Sequence, residues 1–166
     1  MAVPSHDENP SYYVDWSDAR EFTIGDMGVG ECAGQIVSQI EFDLANAERE
    51  VFEAQLALDD HDFVQADQRA YNAMIIAARG LVKNQWQDVP KDAETVVSEF
   101  RKRFYDTKLF FDRFAKGKFA HYLFARHEAQ ACEPDRDHAR VLIEESQLFI
   151  EAAHACDARM AATPVA

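Results

Sequence analysis

The chain has 166 residues, of which 48% are hydrophobic, so it is long enough for one domain with its own core. Its formal net charge of −13 disfavours general binding to phosphate backbones or acidic membranes. No apolar run approaches the roughly 20 residues of a membrane-spanning helix, and the N-terminus lacks the basic and apolar regions of a signal peptide. We therefore expect a cytoplasmic protein.

Glycine divides the sequence into a head and a body. Four of the six glycines lie close together in the head: Gly25, Gly28, Gly30 and Gly34. Because glycine and proline are the strongest local breakers of regular structure, their scarcity afterwards favours long helices. We predict an irregular glycine-rich arm over residues 1–34, a helical domain over 35–161 and a disordered tail over 162–166.

In the first half of the body, apolar residues recur every three or four positions, which predicts helices. The first helix is predicted over about residues 33–59. Asp62, with Gln65 three residues later, forms a candidate capping box for a second helix that continues to about Gln85. Residues 84–90 are predicted to form a loop.

The second half of the body predicts three more helical segments. Residues 93–104 form a shorter helix, followed by a break at 105–108. Residues 109–124 are apolar enough for a helix that Gly117 should bend or divide. A proline followed by a capping aspartate begins the last helix, over about 135–160.

Each amphipathic helix needs a partner to cover its apolar face, which predicts an all-α fold: an antiparallel bundle of four to five helices. The positions expected in its core are Ile40, Leu44, Met74, Phe100, Leu142 and Phe149.

The three cysteines are odd in number and widely spaced: Cys32, Cys132 and Cys156. This pattern is typical neither of a disulfide framework nor of a metal-binding knuckle. We expect reduced thiols, with Cys132 and Cys156 in or beside packed helices.

The stretch Arg69–Val82, with the sequence RAYNAMIIAARGLV, resembles the second helix of HEPN domains. The similarity extends over about residues 36–159, with a polar loop after that helix, an aromatic helix ending near Arg126 and a closing helix rich in Ala, Phe and Ile. The resemblance implies a helical bundle that pairs through its helices, so a homodimer is expected.

Many HEPN domains are metal-independent ribonucleases in which an Arg is followed four to six residues later by a His. This chain departs from that pattern. Its nearest approaches are Arg113 with His121, which have seven residues between them, and the adjacent Arg126 and His127. We therefore predict a non-catalytic binding or accessory module, without a cofactor. The alternative is a toxin-like RNA endonuclease that uses Arg113 and His121 as an offset pair.

Residues 101–118 form a basic island in this acidic chain, with seven basic and two acidic side chains interleaved with aromatic rings. A site for a nucleotide or a single strand needs cations to bind phosphates and aromatic rings to stack on bases. The net negative charge of the chain disfavours nucleic acid overall, but the basic island makes its binding possible here. The candidate ligand-binding residues are Arg101, Arg103, Tyr105, Arg113, Lys116 and Arg126. The competing interpretation places most of these rings in the core and leaves the charges in water.

Three further histidines have a local interpretation. Glu151 and His154 have the spacing of two ligands in a di-iron helical bundle, but the chain has no second Glu-x-x-His motif. We therefore predict no metal site there. His61 and His138 lie beside aspartates at helix starts, which indicates loop or capping roles.

Asp15 and Trp16, together with residues 24–34, resemble a segment near the C-terminus of sirohaem sulfite/nitrite reductase-like proteins. This implies an accessory module, since the single Cys32 of the segment cannot supply the four cysteines of an iron–sulfur cluster. The expected protein partner is then of the reductase type, or of the nucleotidyltransferase type if the chain belongs to the toxin-like branch. The alternative is an arm that wraps the bundle with Trp16 as an anchor.

Overall fold

The computed structural model describes residues 28–129 and 133–162, with side chains from residue 39 onward. Within these residues the chain forms five α-helices and one π-helical turn and contains no β-strand, which confirms the predicted all-α bundle. The arm before residue 28, the tail after residue 162 and Cys132 lie outside the described residues.

No described helix is long and apolar enough to cross a membrane. The helices are α1 (Gly28–Asp59), α2 (Phe63–Val82), α3 (Ala93–Phe100), the π-helical turn (Arg101–Tyr105), α4 (Lys118–Glu128) and α5 (Arg136–Ala162). Because α1 begins at Gly28, residues 28–34 are helical and the predicted irregular arm is too long by that segment. Glycine disfavours helix by only about 1 kcal/mol per residue, a weak preference that does not by itself end a helix.

One hydrophobic core joins the helices of the compact unit that begins at Gln39. The predicted apolar stripe of α1 is buried along its length, at Ile40, Leu44, Ala47, Val51, Ala54 and Leu58. On α2 the buried side chains are mostly alanines, which lets α3, α4 and α5 approach it closely. All six predicted core positions are buried, so this prediction is confirmed.

Ion pairs connect α1 to its neighbours. Lys83 Nζ lies 2.8 Å from Asp43 Oδ2, and both side chains are shielded, with 10% and 14% of their surfaces exposed. Arg69 Nη1 lies 3.2 Å from Glu50 Oε1. Since later residues of α2 pair with earlier residues of α1, the two helices run antiparallel.

Aspartates begin three of the helices by capping. Asp62 before α2 and Asp135 before α5 each accept a hydrogen bond from the backbone N–H three residues on, at 3.1 and 2.8 Å. Asp92 caps α3 in the same way at 3.0 Å. The caps satisfy N–H groups that have no partner inside the first helical turn. The two caps predicted from sequence are confirmed.

The segment 109–124 is not one helix divided at Gly117, contrary to the prediction. Residues 106–117 form a compact loop of turns, and α4 begins only after Gly117. Lys108 and Lys116 have φ values of 62° and 57°. These are left-handed backbone conformations that a right-handed helix cannot contain.

The carboxylate of Asp112 organises this loop. Its Oδ1 accepts hydrogen bonds from the backbone N–H groups of Phe114 (2.7 Å) and Ala115 (2.6 Å). The backbones of Asp112 and Lys116 also exchange two hydrogen bonds, at 2.8 and 2.9 Å. The two N–H donors hold the pKa of Asp112 below its ordinary value. We call residues 106–118, which end on the first residue of α4, the basic loop.

The predicted third helix is regular only as far as Phe100. The chain continues as a π-helical turn, closed by a hydrogen bond of 2.8 Å from the backbone N of Asp106 to the carbonyl oxygen of Arg101. The Tyr105 ring then packs against Gly117, where an added Cβ would lie 2.8 Å from the ring. Only glycine fits there without a shift of the neighbouring atoms.

Candidate functional site

The candidate ligand-binding arginines of the π-helical turn are already paired with carboxylates. The Arg101 guanidinium lies 3.9 Å from the centre of the Phe124 ring, and its Nη2 donates to Glu128 Oε2 at 3.3 Å. Arg103 Nε donates to Glu99 Oε1 at 2.7 Å. Arg101 and Arg103 of the predicted site therefore each have their own carboxylate partner.

Arg126 ties α4 to α2. Its Nη2 and Nε donate to Asp67 Oδ2 at 2.6 and 3.1 Å, and the guanidinium lies 4.5 Å from the centre of the Tyr71 ring. The Arg126 and Asp67 side chains are only 25% and 18% exposed, so solvent screens this pair less than a surface pair. The position of Arg126 is that of a connecting residue within the bundle.

The alternative catalytic pair is not joined by any contact in the described part of the chain. His121 Nε2 lies 2.9 Å from the Tyr105 hydroxyl, and the two rings meet edge to face. The Arg113 guanidinium lies instead 5.7 Å from the centre of the exposed Phe114 ring. Within one chain, the hydrogen-bonding neighbour of His121 is therefore Tyr105.

Most aromatic rings of the basic island face the core, as the competing interpretation predicts. Phe100, Phe104 and Phe110 are buried and stack or meet edge to face with one another. Tyr105 is half-buried. Phe114 is the exception, because its side chain is 86% exposed.

A cleft of about 510 Å³ opens between α3, the π-helical turn and the end of α4. It is lined by Glu94, Val97, Ser98, Arg101, Lys102, His127 and Glu128. We call it the cationic cleft because it brings two permanently charged side chains, Arg101 and Lys102, together with an imidazole. The Glu94 and Glu128 side chains at the same cleft are strongly exposed, at 86% and 68%.

A chain of hydrogen bonds connects this cleft to α2. His127 Nε2 lies 3.0 Å from Glu94 Oε2, and His127 Nδ1 lies 2.7 Å from the Tyr71 hydroxyl. Burial raises the pKa of Tyr71; the Arg126 charge lowers it and the Glu94 charge raises it. The phenol is therefore protonated at neutral pH. Since a carboxylate only accepts, the Nε2 atom must carry the proton in this contact.

Sequence reasoning did not find the Tyr71–His127–Glu94 chain. Its members lie 56 and 33 residues apart, and their meeting depends on how α2, α3 and α4 pack. In the sequence, His127 stands out only as the neighbour of Arg126, and Tyr71 only as part of the α2 pattern. No spacing within the sequence signals this contact.

His61 and His138 have the local roles that the sequence predicts, whereas His154 contacts the distant helix α1. His61 adopts a left-handed φ of 64° in the turn between α1 and α2, and its Nδ1 lies 3.2 Å from the Asp59 carbonyl oxygen. His138 Nδ1 lies 3.1 Å from its capping residue Asp135. His154 Nε2 lies 2.6 Å from Glu48 Oε1 on α1. Among the described residues, no group of three or more His, Cys, Asp or Glu side chains could hold a metal ion.

Comparisons of this chain with models of known protein families, with curated proteins and with solved structures found no significant match. The HEPN and reductase resemblances therefore stay predictions, and functional inference depends on the geometry described above.

Proposed function

We propose that this protein is a non-catalytic binding module whose cationic cleft takes a phosphate-bearing ligand of nucleotide size. The observation that carries the proposal is that Arg101, Lys102 and His127 line one cleft. Arg101 and Lys102 supply charge-assisted donors of the kind that bind phosphate oxygens, and the N–H of His127 Nε2 is a further donor. The expected nucleotide site is thus restricted from the whole of residues 101–118 to one end of that segment, and His127 joins it.

The acidic side chains of the cleft are compatible with such a ligand. The Arg101–Glu128 pair has side-chain exposures of 41% and 68%. Exposed ion pairs of this kind contribute only about 0–1 kcal/mol. A phosphate can replace the strongly exposed Glu128 and Glu94 carboxylates with a small loss of free energy. Lys102 also pairs with Glu99, at 3.5 Å, but 67% of the Lys102 side chain is exposed and can reach the ligand.

The Tyr71 hydroxyl prepares His127 for this role. Its hydrogen bond at Nδ1 fixes the ring orientation and leaves the N–H of Nε2 as the donor on the cleft side. Removing the hydroxyl should therefore weaken ligand binding without removing any cleft-lining side chain. Tyr71 is a positioning residue in this proposal.

The test is calorimetric titration with ATP and, separately, with inorganic phosphate. We expect binding that weakens as salt rises, and an increase in the ATP dissociation constant of roughly 10- to 100-fold in Arg101→Ala. Tyr71→Phe should weaken ATP binding less than His127→Ala does. Arg140→Ala is the matched control, since Arg140 forms a comparably exposed pair with Glu144 on α5. No binding at low salt, or equal affinities for the Arg101 and Arg140 variants, would refute the proposal.

The wider role follows from the two resemblances. We infer an accessory module of HEPN type in the cytoplasm, associated with a reductase- or nucleotidyltransferase-type partner. Support comes from the α2 pattern over Arg69–Val82 and from the segment over 15–34, most of which lies outside the described residues. Co-purification with the products of neighbouring genes tests this role, and recovery of neither partner type would count against it.

A further inference from the structure

The basic loop presents charge and apolar surface to solvent. Its four basic side chains, Lys108, Arg113, Lys116 and Lys118, form no ion pair within the described residues. Phe114 lies in the middle of this group with 86% of its side chain exposed. An exposed ring surrounded by cations that form no ion pair is typical of an anchor that a partner covers.

The loop is held in one shape before any partner arrives. The Asp112 carboxylate binds two backbone N–H groups, and the Asp112–Lys116 backbone pair closes the turn. A preformed loop loses little conformational entropy on association, so more of its contact energy appears as affinity.

The outer face of α1 has the complementary character. Phe42 and Phe52 are each 62% exposed and Leu56 is 43% exposed. Their spacings of ten and four residues place them on one stripe of the helix. Glu41 and Glu53 flank this stripe and form no ion pair among the described residues. Residues 39–60 contain seven acidic side chains and one basic side chain. Asp43 and Glu50 pair with cations inside the bundle, so Glu41 and Glu53 supply the negative charge beside the stripe.

We propose that the occupant of each surface is a second copy of this chain. The basic loop of one protomer packs on the outer face of α1 of its partner, and the contact is repeated by the two-fold axis of a closed dimer. The exposed Phe114 ring packs over the small residue Ala45, in the space between Phe42 and Phe52, which are about 15 Å apart along the helix. Charge complementarity selects this arrangement, because two α1 faces placed against each other would repel.

The same observations disfavour a nucleic-acid partner for this surface. Single strands are bound by several rings on which successive bases stack. The basic loop exposes one ring strongly, while Phe110 is buried and Phe111 is half-buried. One ring that fits between two others is the geometry of a protein contact.

The test is sedimentation equilibrium over a range of protein concentrations. We expect a dimer for the unmodified chain, with a dissociation constant raised at least roughly 30-fold in Phe114→Ser and in Phe52→Ser. Val64→Ser is the matched control, because Val64 is a similarly exposed apolar residue, at 56%, on α2. It should leave the dimer unchanged. Circular dichroism checks that every variant keeps its helical content.

Charge exchange tests the pairing of the two surfaces directly. The double variant Arg113→Glu, Lys116→Glu and the double variant Glu41→Lys, Glu53→Lys should each dissociate the dimer, and all four changes together should restore it. Three results would overturn the proposal: a monomer at all concentrations, a dimer whose dissociation constant Phe52→Ser does not change, or a quadruple variant that does not recover the dimer. So would binding of a uridine oligonucleotide to a monomeric protein that Phe114→Ser abolishes.

Discussion

Replacing Met74 by alanine should reveal how little the centre of α2 can rearrange. Met74 is fully buried, and its neighbours on the helix surface include three fully buried alanines, Ala70, Ala77 and Ala78. Removal of a buried methionine side chain destabilises proteins by about 2–5 kcal/mol, more where the cavity cannot collapse. Alanine has no side-chain rotamers with which to fill the space, so we expect the upper half of this range.

The measurement is urea unfolding, followed by the loss of the helical circular dichroism signal. A loss of that size is a large fraction of the roughly 5–15 kcal/mol that stabilises a typical domain. Met74→Leu should lose less than about 1.5 kcal/mol, because it nearly conserves volume. Val64→Ala, at an exposed position of the same helix, should change stability by no more than about 0.5 kcal/mol. An unchanged midpoint for Met74→Ala would refute the reasoning.

Four other measurements address separate features. Gly117→Ala should lower stability by about 1–3 kcal/mol in urea unfolding, because the added Cβ would lie 2.8 Å from a carbon of the Tyr105 ring. Gly80→Ala is the comparison: its Cβ would lie 3.1 Å from the nearest side-chain carbon, so it should lose less stability. Asp112, whose pKa is lowered by two backbone donors, should stabilise the fold above its unfolded pKa of about 3.9, so the stability difference from Asp112→Ala should shrink as the pH falls through the lower folded pKa. Burial raises the pKa of Cys156 to about 11, so a thiol reagent at pH 8 (about three units lower) should modify Cys156 only after denaturation. We also expect no metal-independent cleavage of RNA; cleavage that His121→Ala abolishes would revive the ribonuclease alternative.

Local patterns predicted the elements whose structure is local. The stripe of α1 from Ile40 to Leu58 follows a helical period, and the cap at Asp62 needs only the next three residues. The core position of Phe100 follows from the same periodicity. These features depend on sequence neighbours, so a single sequence was enough to predict them.

The basic loop was not predictable in this way. The apolar residues of 109–124 suggest a helix, but left-handed lysines and the turn around Asp112 break it. Periodicity does not report such conformations, because lysine rarely adopts them. The cationic cleft shows a second limit. The sequence predicted Arg101 as a ligand-binding candidate, but its meeting with His127 depends on the packing of α3 against α4.

The π-helical turn shifts the rotational phase of the residues that follow it. A hydrogen bond that spans five residues instead of four accommodates one extra residue per turn, equivalent to an insertion in an α-helix. Deleting one residue between Arg101 and Tyr105 would permit a regular turn and rotate the following side chains by about 100° around the axis. The Tyr105 ring would then leave Gly117 and His121. The extra residue thus sets the angular register between the cleft at one end of this turn and the basic loop at the other.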